Sequence, residues 1–282
     1  MISIIICSRD LHLYDKVEKS IKKTIGSITY EIIKIDNSID NISITKAYNL
    51  GIDKSKYEHL LFVHEDILFH TNNWGDILIN IFKKNSNIGL IGIAGAKYKS
   101  KYPSAFWHTE TSMIKLNLIQ HYNCKKSSLH TIGFENDDFE DVVVLDGVFM
   151  ALNKKLNVRF NEEILGFHCY DSAICIDVLE IKRKIIVTNE ILIEHFSIGN
   201  TDLKFVNSLI KFHELYKRKL PKYLTSSSKI NDVIALKKFL EICLQNRFIP
   251  YNFWIKYMIF NLFDKLNYNL LKLLIHKKLK KN

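Results

Sequence analysis

Apolar residues in the N-terminal two-thirds of the chain follow two alternating rhythms. Residues 2–7 form an almost unbroken β-branched run, the mark of a strand buried on both faces. Leu13, Val17 and Ile21 then recur at helical spacing. The cycle repeats with a strand over 30–35, a helix over 44–52 and a strand over 59–63. A helix carrying Trp74, Ile77, Leu78, Ile81 and Phe82 follows, then a strand over 88–94. Strands alternating with helices predict an α/β fold, a mostly parallel sheet flanked by helices. Residues 142–152 read as one strand running through Asp146-Gly147, Tyr170-Asp171 as the start of a helix, and 185–187 and 191–193 as short strands. Residues 97–141, polar and aromatic, read as irregular, either a binding loop or a disordered or merely decorative insertion.

Beyond residue 200 the rhythm is helical. Phe205, Leu209, Phe212 and Tyr216 mark one helix and residues 233–244 another, with a Ser-rich linker expected over 221–228. Ile255, Met258, Ile259, Leu262, Leu266, Leu270, Leu273 and Leu274 then form a single apolar stripe. Lys256, Lys265, Lys272, Lys277, Lys278, Lys280 and Lys281 surround it. Charge sharpens this division. Residues 201–282 hold 17 Lys/Arg against 5 Asp/Glu, whereas residues 1–200 hold 23 against 25. The expectation is a working domain over 1–200 and a basic helical C-terminal region over 201–282. A basic amphipathic helix with Trp254, Tyr257 and Phe260 suits an anionic membrane surface. The same stripe also suits packing on the domain itself or against a second copy as a homodimer.

No apolar run approaches the ~18 residues that span a bilayer, and the N-terminus lacks the basic segment of a signal peptide. Cys7, Cys124, Cys169, Cys175 and Cys243 are odd in number, scattered and without Cys-x-x-Cys spacing. That fits a reducing compartment, with Cys169 and Cys175 as small core residues. The expected location is therefore cytoplasmic, peripheral on the inner face of the cell membrane. The basic tail carries no RNA-recognition or helix-turn-helix signature, so nucleic acid is not an expected partner.

The chemistry concentrates where strands end. Ligands of open α/β sheets bind beyond the carboxyl ends of the strands. Those ends here are Ser8-Arg9-Asp10, Asp36-Asn37-Ser38 and His64-Glu65-Asp66. The third is the most telling, because the chain is apolar on both sides of it, from Leu60 to Val63 and again from Ile67 to Phe69. A carboxylate left unpaired in such a setting costs several kcal/mol or neutralises itself. A divalent cation carrying phosphates is the first candidate to meet Asp66.

In this order the segments resemble the inverting glycosyltransferases of the family 2 type, which have the GT-A nucleotide-diphospho-sugar transferase fold. The resemblance covers residues 1–200. It implies donor contacts from Ser8 and Arg9 at the first strand, and from Asp36 and Asn37 at the second. Ala47-Tyr48-Asn49-Leu50-Gly51 is similar to a family pattern near the nucleotide, which implicates Lys46 and Asn49. His64-Glu65-Asp66 stands where the family has Asp-x-Asp, with His64 replacing the first aspartate. His64 and Glu65 then face the donor, and Asp66 keeps the metal. Asp146 and Gly147 fall on the acceptor-side strand and are implied as nucleotide-sugar contacts, Asp171 stands where the catalytic base does, and His195 where a late histidine completes the metal site. Trp107 and His168 are implied as acceptor residues. The implied activity moves a sugar from a nucleoside diphosphate sugar to a hydroxyl of a glycan or lipid-linked acceptor, in surface polysaccharide or glycan biosynthesis. The implied cofactor is a divalent cation. Mn²⁺ suits a mixed oxygen and imidazole shell better than Mg²⁺.

Two alternatives frame this expectation. A sugar-nucleotide nucleotidyltransferase wants a glycine-rich phosphate loop after the first strand, and Ser8-Arg9-Asp10-Leu11 has no glycine. A non-enzymatic membrane-binding protein built on the basic tail leaves Asp66, Asp171 and His195 without a role.

Overall fold

The computed structural model describes residues 1–123, 126–135 and 137–279, so Cys124, Lys280 and Lys281 lie outside the described residues. The chain opens with β1 (Ile2–Ser8), α1 (Leu11–Thr24), β2 (Tyr30–Asp36), α2 (Ile44–Lys54), β3 (His59–Val63), β4 (Ile67–Phe69) and α3 (Trp74–Lys84). Then come β5 (Ile88–Gly92), β6 (Ala94–Ala96), β7 (Tyr98–Lys99), β8 (Ile114–Asn123), β9 (Lys126–Ile132), β10 (Phe139–Val142), β11 (Val144–Leu145) and β12 (Phe149–Asn153). The remainder is α4 (Tyr170–Glu180), β13 (Lys184–Thr188), β14 (Ile193–His195), α5 (Leu203–Tyr216), β15 (Lys222–Tyr223), α6 (Lys229–Gln245), α7 (Tyr251–Phe260) and α8 (Lys265–Leu279).

The main sheet has seven strands in the order β10-β13-β5-β12-β3-β1-β2. β12 and β10 run against the other five, so the sheet is mixed, with three of its six pairings parallel, and helices flank it as expected. Both of its faces are covered. Ile2, Ile4 and Ile6 of β1 pack with Val17 and Ile21 of α1 and with Trp74 and Leu78 of α3. Ile5 points the other way, to Ala47 and Tyr48 of α2, in a layer that also holds Ile174 and Val178 of α4. That alternation is why β-branched residues dominate β1 at positions of both parities: Ile2, Ile4, Ile5 and Ile6 are all shut off from water. Gly51 lets α2 lie close, since a Cβ there would sit 2.3 Å from Ile5 Cγ2.

A second sheet, β11-β6-β8-β14-β4 with β9 on β8, covers one end of the first. It corrects the reading of 97–141 as irregular. Ile114, Leu116 and Leu118 alternate with Lys115, Asn117 and Ile119, and the β8–β9 hairpin pairs antiparallel. Residues 142–152 are likewise not one strand. β11 leaves the main sheet to pair with β6, and β12 returns to it, with the turn at Asp146-Gly147 between them.

The C-terminal helices share one core with the α/β part. Phe205, Leu209, Phe239, Leu240, Trp254 and Tyr257 pack with Ala173 and Ile176 of α4. Residues 221–228 are not a free linker. β15 pairs with β7, and buried Asp232 of α6 accepts from Ser100 Oγ at 2.7 Å and Tyr98 Oη at 3.0 Å. The expected single stripe is two helices, α7 and α8. Trp254, Tyr257, Leu266 and Leu270 are buried, whereas Ile259 and Leu262 are exposed. No helix among the described residues is long and apolar enough to cross a membrane.

Candidate active site

β1 lies between β2 and β3 and is parallel to both, with Ser8 opposite Asp36 and Ile6 opposite Val63. This register sets all three polar strand ends on one edge of the sheet. The chain leaves β3 at His64, whose N–H donates to Val148 O, and enters the second sheet at β4. There β14 pairs with β4, placing His195 opposite Ile67. One ligand atom each from His64, Asp66 and His195 lies within 4.8 Å of the others. His64 Nδ1 is 3.8 Å from Asp66 Oδ1, and His195 Nε2 is 3.6 Å from Asp66 Oδ2.

Both imidazoles are oriented from behind. His195 Nδ1 is 3.1 Å from Gln120 Oε1, an acceptor, so Nδ1 carries the proton and Nε2 is left as a ligand. His64 Nε2 meets the Tyr170 hydroxyl at 2.8 Å, which leaves Nδ1 toward Asp66. Burial lowers the pKa of His195 against the opposing pull of Asp66, favouring the neutral ring a metal requires. Two imidazoles and a carboxylate with open directions between them fit a divalent ion of the Mn²⁺ kind. Neighbouring Glu194 points away from this cluster. Its carboxylate takes His70 Nε2 at 2.8 Å and His121 Nε2 at 2.6 Å.

Asp171 lies in the first turn of α4, one residue from the tyrosine that holds His64. Burial, and then the charge of Asp146, push its carboxyl up to about 6, although Ser172 N–H donates to Oδ1 at 2.6 Å. Wholly buried Lys99 partly offsets that rise. The Lys99 ammonium donates to Ser104 O and sits 4.9 Å from the Phe212 ring centre. The turn between β11 and β12 demands glycine, because a Cβ on Gly147 would stand 2.0 Å from Tyr170 Oη. Asp146 Oδ1 accepts from Val148 N–H at 2.8 Å in the same turn.

The remaining expected residues divide into two groups. Ser8 is buried at the end of β1, and Arg9 stacks its guanidinium 4.2 Å from the Phe167 ring centre. Asp36 is exposed at the sheet edge, where the Ser38 hydroxyl and N–H hold its pKa down. Lys46 is exposed on α2. Trp107 stacks on Phe205 at 6.2 Å, and His168 meets the same ring edge-on at 5.1 Å, so the two expected acceptor residues share one aromatic platform. Three others have their polar atoms engaged within the protein. Asn37 bonds both the N–H and the carbonyl of Ile42. Asn49 binds the backbone of Phe160 and the Glu162 carboxylate. Glu65 accepts the N–H groups of Arg9 and Asp10, tying the ends of β1 and β3 together.

Tyr170, Gln120 and Lys99 were not anticipated from the sequence. Gln120 was hidden in the hairpin read as loop, although the alternation from Ile114 to Leu118 marks a strand there. Tyr170 carried only its adjacency to Asp171. A buried lysine has no local signature.

A model of the glycosyltransferase-like family matches residues 3–208, which span every element of this cluster. No curated protein matches the chain. Among solved structures, one similar to it is that of GalNAc-T7 with UDP, GalNAc and Mn²⁺, at 8% identity and a TM-score of 0.48. The match covers 71% of this chain and 44% of that one, so the chain spans less than half that structure's length. The α/β core and the strand-edge cluster lie within the matched residues, and the chain belongs to the glycosyltransferase-like family of enzymes.

Proposed function

We propose that this enzyme is an inverting glycosyltransferase that uses a nucleoside diphosphate sugar and a divalent cation. The observation that carries the reading is the His64–Asp66–His195 cluster at the edge of the nucleotide-side strands, with Tyr170, whose hydroxyl holds His64, next in sequence to a carboxyl whose pKa is raised to about 6. His64, Asp66 and His195 would hold the cation, which supplies charge neutralisation for the departing diphosphate. Asp36 would meet the base or ribose, beside the Ser8 end of β1 on the same edge.

Asp171 acts on the other reactant. As the acceptor oxygen forms its bond to the anomeric carbon, the bond from that carbon to the diphosphate oxygen breaks and its electron pair leaves with the diphosphate. The acceptor's proton passes to Asp171. A carboxylate with a pKa near 6 is a stronger base than an ordinary aspartate yet is ionised at neutral pH. Attack from the face opposite the diphosphate inverts the configuration. The Trp107 and His168 platform on Phe205 offers a stacking surface of the kind sugar rings accept, which favours a glycan or lipid-linked glycan as acceptor. The cytoplasm, where nucleotide sugars are made, is the matching compartment, with surface polysaccharide or glycan as the product class.

The test is a panel of UDP-, GDP- and dTDP-sugars in a thermal-shift assay with Mn²⁺, on the wild type and Asp66→Ala. One nucleotide class should raise the melting temperature of the wild type in a metal-dependent way and leave Asp66→Ala unmoved. An identical response from both proteins, or none from either, overturns the reading.

A further inference from the structure

α7 and α8 both pack on α6, and each leaves an apolar face turned away from it. On α7 that face carries Ile255 and Ile259, and on α8 it carries Tyr268, Leu271 and Ile275. The turn between the two helices presents Leu262 and Phe263, the latter 97% exposed. A phenylalanine so open to water at a helical corner stabilises nothing within the fold.

The charge around this face has one sign. Residues 251–282 hold seven lysines and a single acid, Asp264. That acid is engaged inward, by Lys237 Nζ at 2.8 Å and Tyr257 Oη at 2.9 Å. Lys265, Lys272, Lys277 and Lys278 are exposed with no carboxylate of their own helices to meet. The hairpin is also held firmly. Trp254 Nε1 donates to Asn267 Oδ1 at 3.0 Å, and Asn267 Nδ2 donates to the carbonyls of Asn261 and Leu262.

We propose that the α7–α8 hairpin is a rigid membrane-docking element, with Phe263, Leu262 and Ile259 entering the headgroup–acyl boundary of an anionic bilayer while the lysines meet its phosphates. An interfacial element needs an apolar face, a cationic surround and no capacity to span, and all three coexist here. A second copy of the chain fits less well, because two such faces brought together would oppose lysine to lysine. The hairpin adjoins the segment leading to Trp107, since Lys256 Nζ lies 5.9 Å from the Tyr102 ring centre. Docking does not depend on the reaction proposed above, so its failure and the failure of that reading are separable.

The experiment is co-sedimentation of the full chain with phosphatidylcholine vesicles, with and without phosphatidylglycerol. The wild type should bind the phosphatidylglycerol vesicles and bind phosphatidylcholine alone weakly. Lys272→Gln/Lys277→Gln/Lys278→Gln should lower partitioning by about 100-fold, at about fivefold per neutralised lysine. Ile259→Ser/Phe263→Ser should lower it by more than about tenfold. Both substituted positions are exposed, and melting temperatures at the wild-type value will show that folding is intact. Vesicle binding that is absent in the wild type, or unchanged in both variants, overturns the proposal. So does a wild-type dimer in sedimentation velocity that Ile259→Ser/Phe263→Ser dissociates.

Discussion

Replacing Asp171 by asparagine should make the protein more stable and catalytically defective together. The carboxyl rises from an ordinary 3.8 to about 6 because burial and Asp146 disfavour its charge. A rise of that size corresponds to ~3 kcal/mol of native-state penalty once the group is ionised. Asparagine keeps the shape but has one accepting oxygen where the carboxylate offers two to the N–H groups of Ser172 and Gly147, which costs ~1 kcal/mol. The net gain is ~2 kcal/mol near neutral pH, or roughly 4–6 °C in melting temperature. The sign follows from the direction of the shift. A carboxyl whose folded pKa is raised favours folding fully below its unfolded value of about 4, and that contribution is lost as pH rises through about 6. The substituted amide cannot ionise, so the variant's advantage should be present at about pH 7 and vanish at about pH 4. Scanning calorimetry with chelator present measures this, and a transfer assay should show a loss of ~10²–10⁴-fold. A variant less stable than the wild type at neutral pH, or one shifted equally at both pH values, would refute the electrostatic reasoning.

Four further outcomes are expected. Gln120→Leu removes the acceptor that fixes the His195 tautomer, so Mn²⁺ affinity by titration calorimetry should fall ~10–100-fold with an unchanged far-ultraviolet dichroism spectrum. Gly147→Ala drives a Cβ to 2.0 Å from the Tyr170 hydroxyl and should cost ~1–3 kcal/mol in denaturant unfolding while also lowering transfer. In the wild type, kcat/KM should fall tenfold per pH unit below about 6, as the base is protonated. Lys99→Met should move that limb to higher pH, because the ammonium that partly offsets the rise is gone.

What could be read in the sequence was the part with long periods. β1, β2 and β3 are five or seven residues each, and their polar ends fall on one sheet edge as the pattern of an α/β chain requires. Asp66 stood out because polar residues broke an apolar run, and the structure brings His64 and His195 to it. The second sheet was harder to read. β4, β6, β11 and β14 have two or three residues, too few for a period of two to show. Residue type at a strand end also does not say which way a side chain turns. Asn37, Asn49 and Glu65 are polar residues of the expected kind, yet their polar atoms close loops on neighbouring backbone. Tyr170 is the converse case, an aromatic read only as the start of a helix that holds a candidate ligand by its hydroxyl.

The pairing of β14 with β4 has a consequence for how such a chain can diverge. Side chains alternate along a strand, so sliding β14 by a single position would send His195 to the far side and bring Glu194 round in its place. The two histidines gripping Glu194 on the outer side act as a latch against that slip. One residue gained or lost between His64 and Phe69, or between Ile193 and His195, therefore turns a candidate ligand away from the cluster.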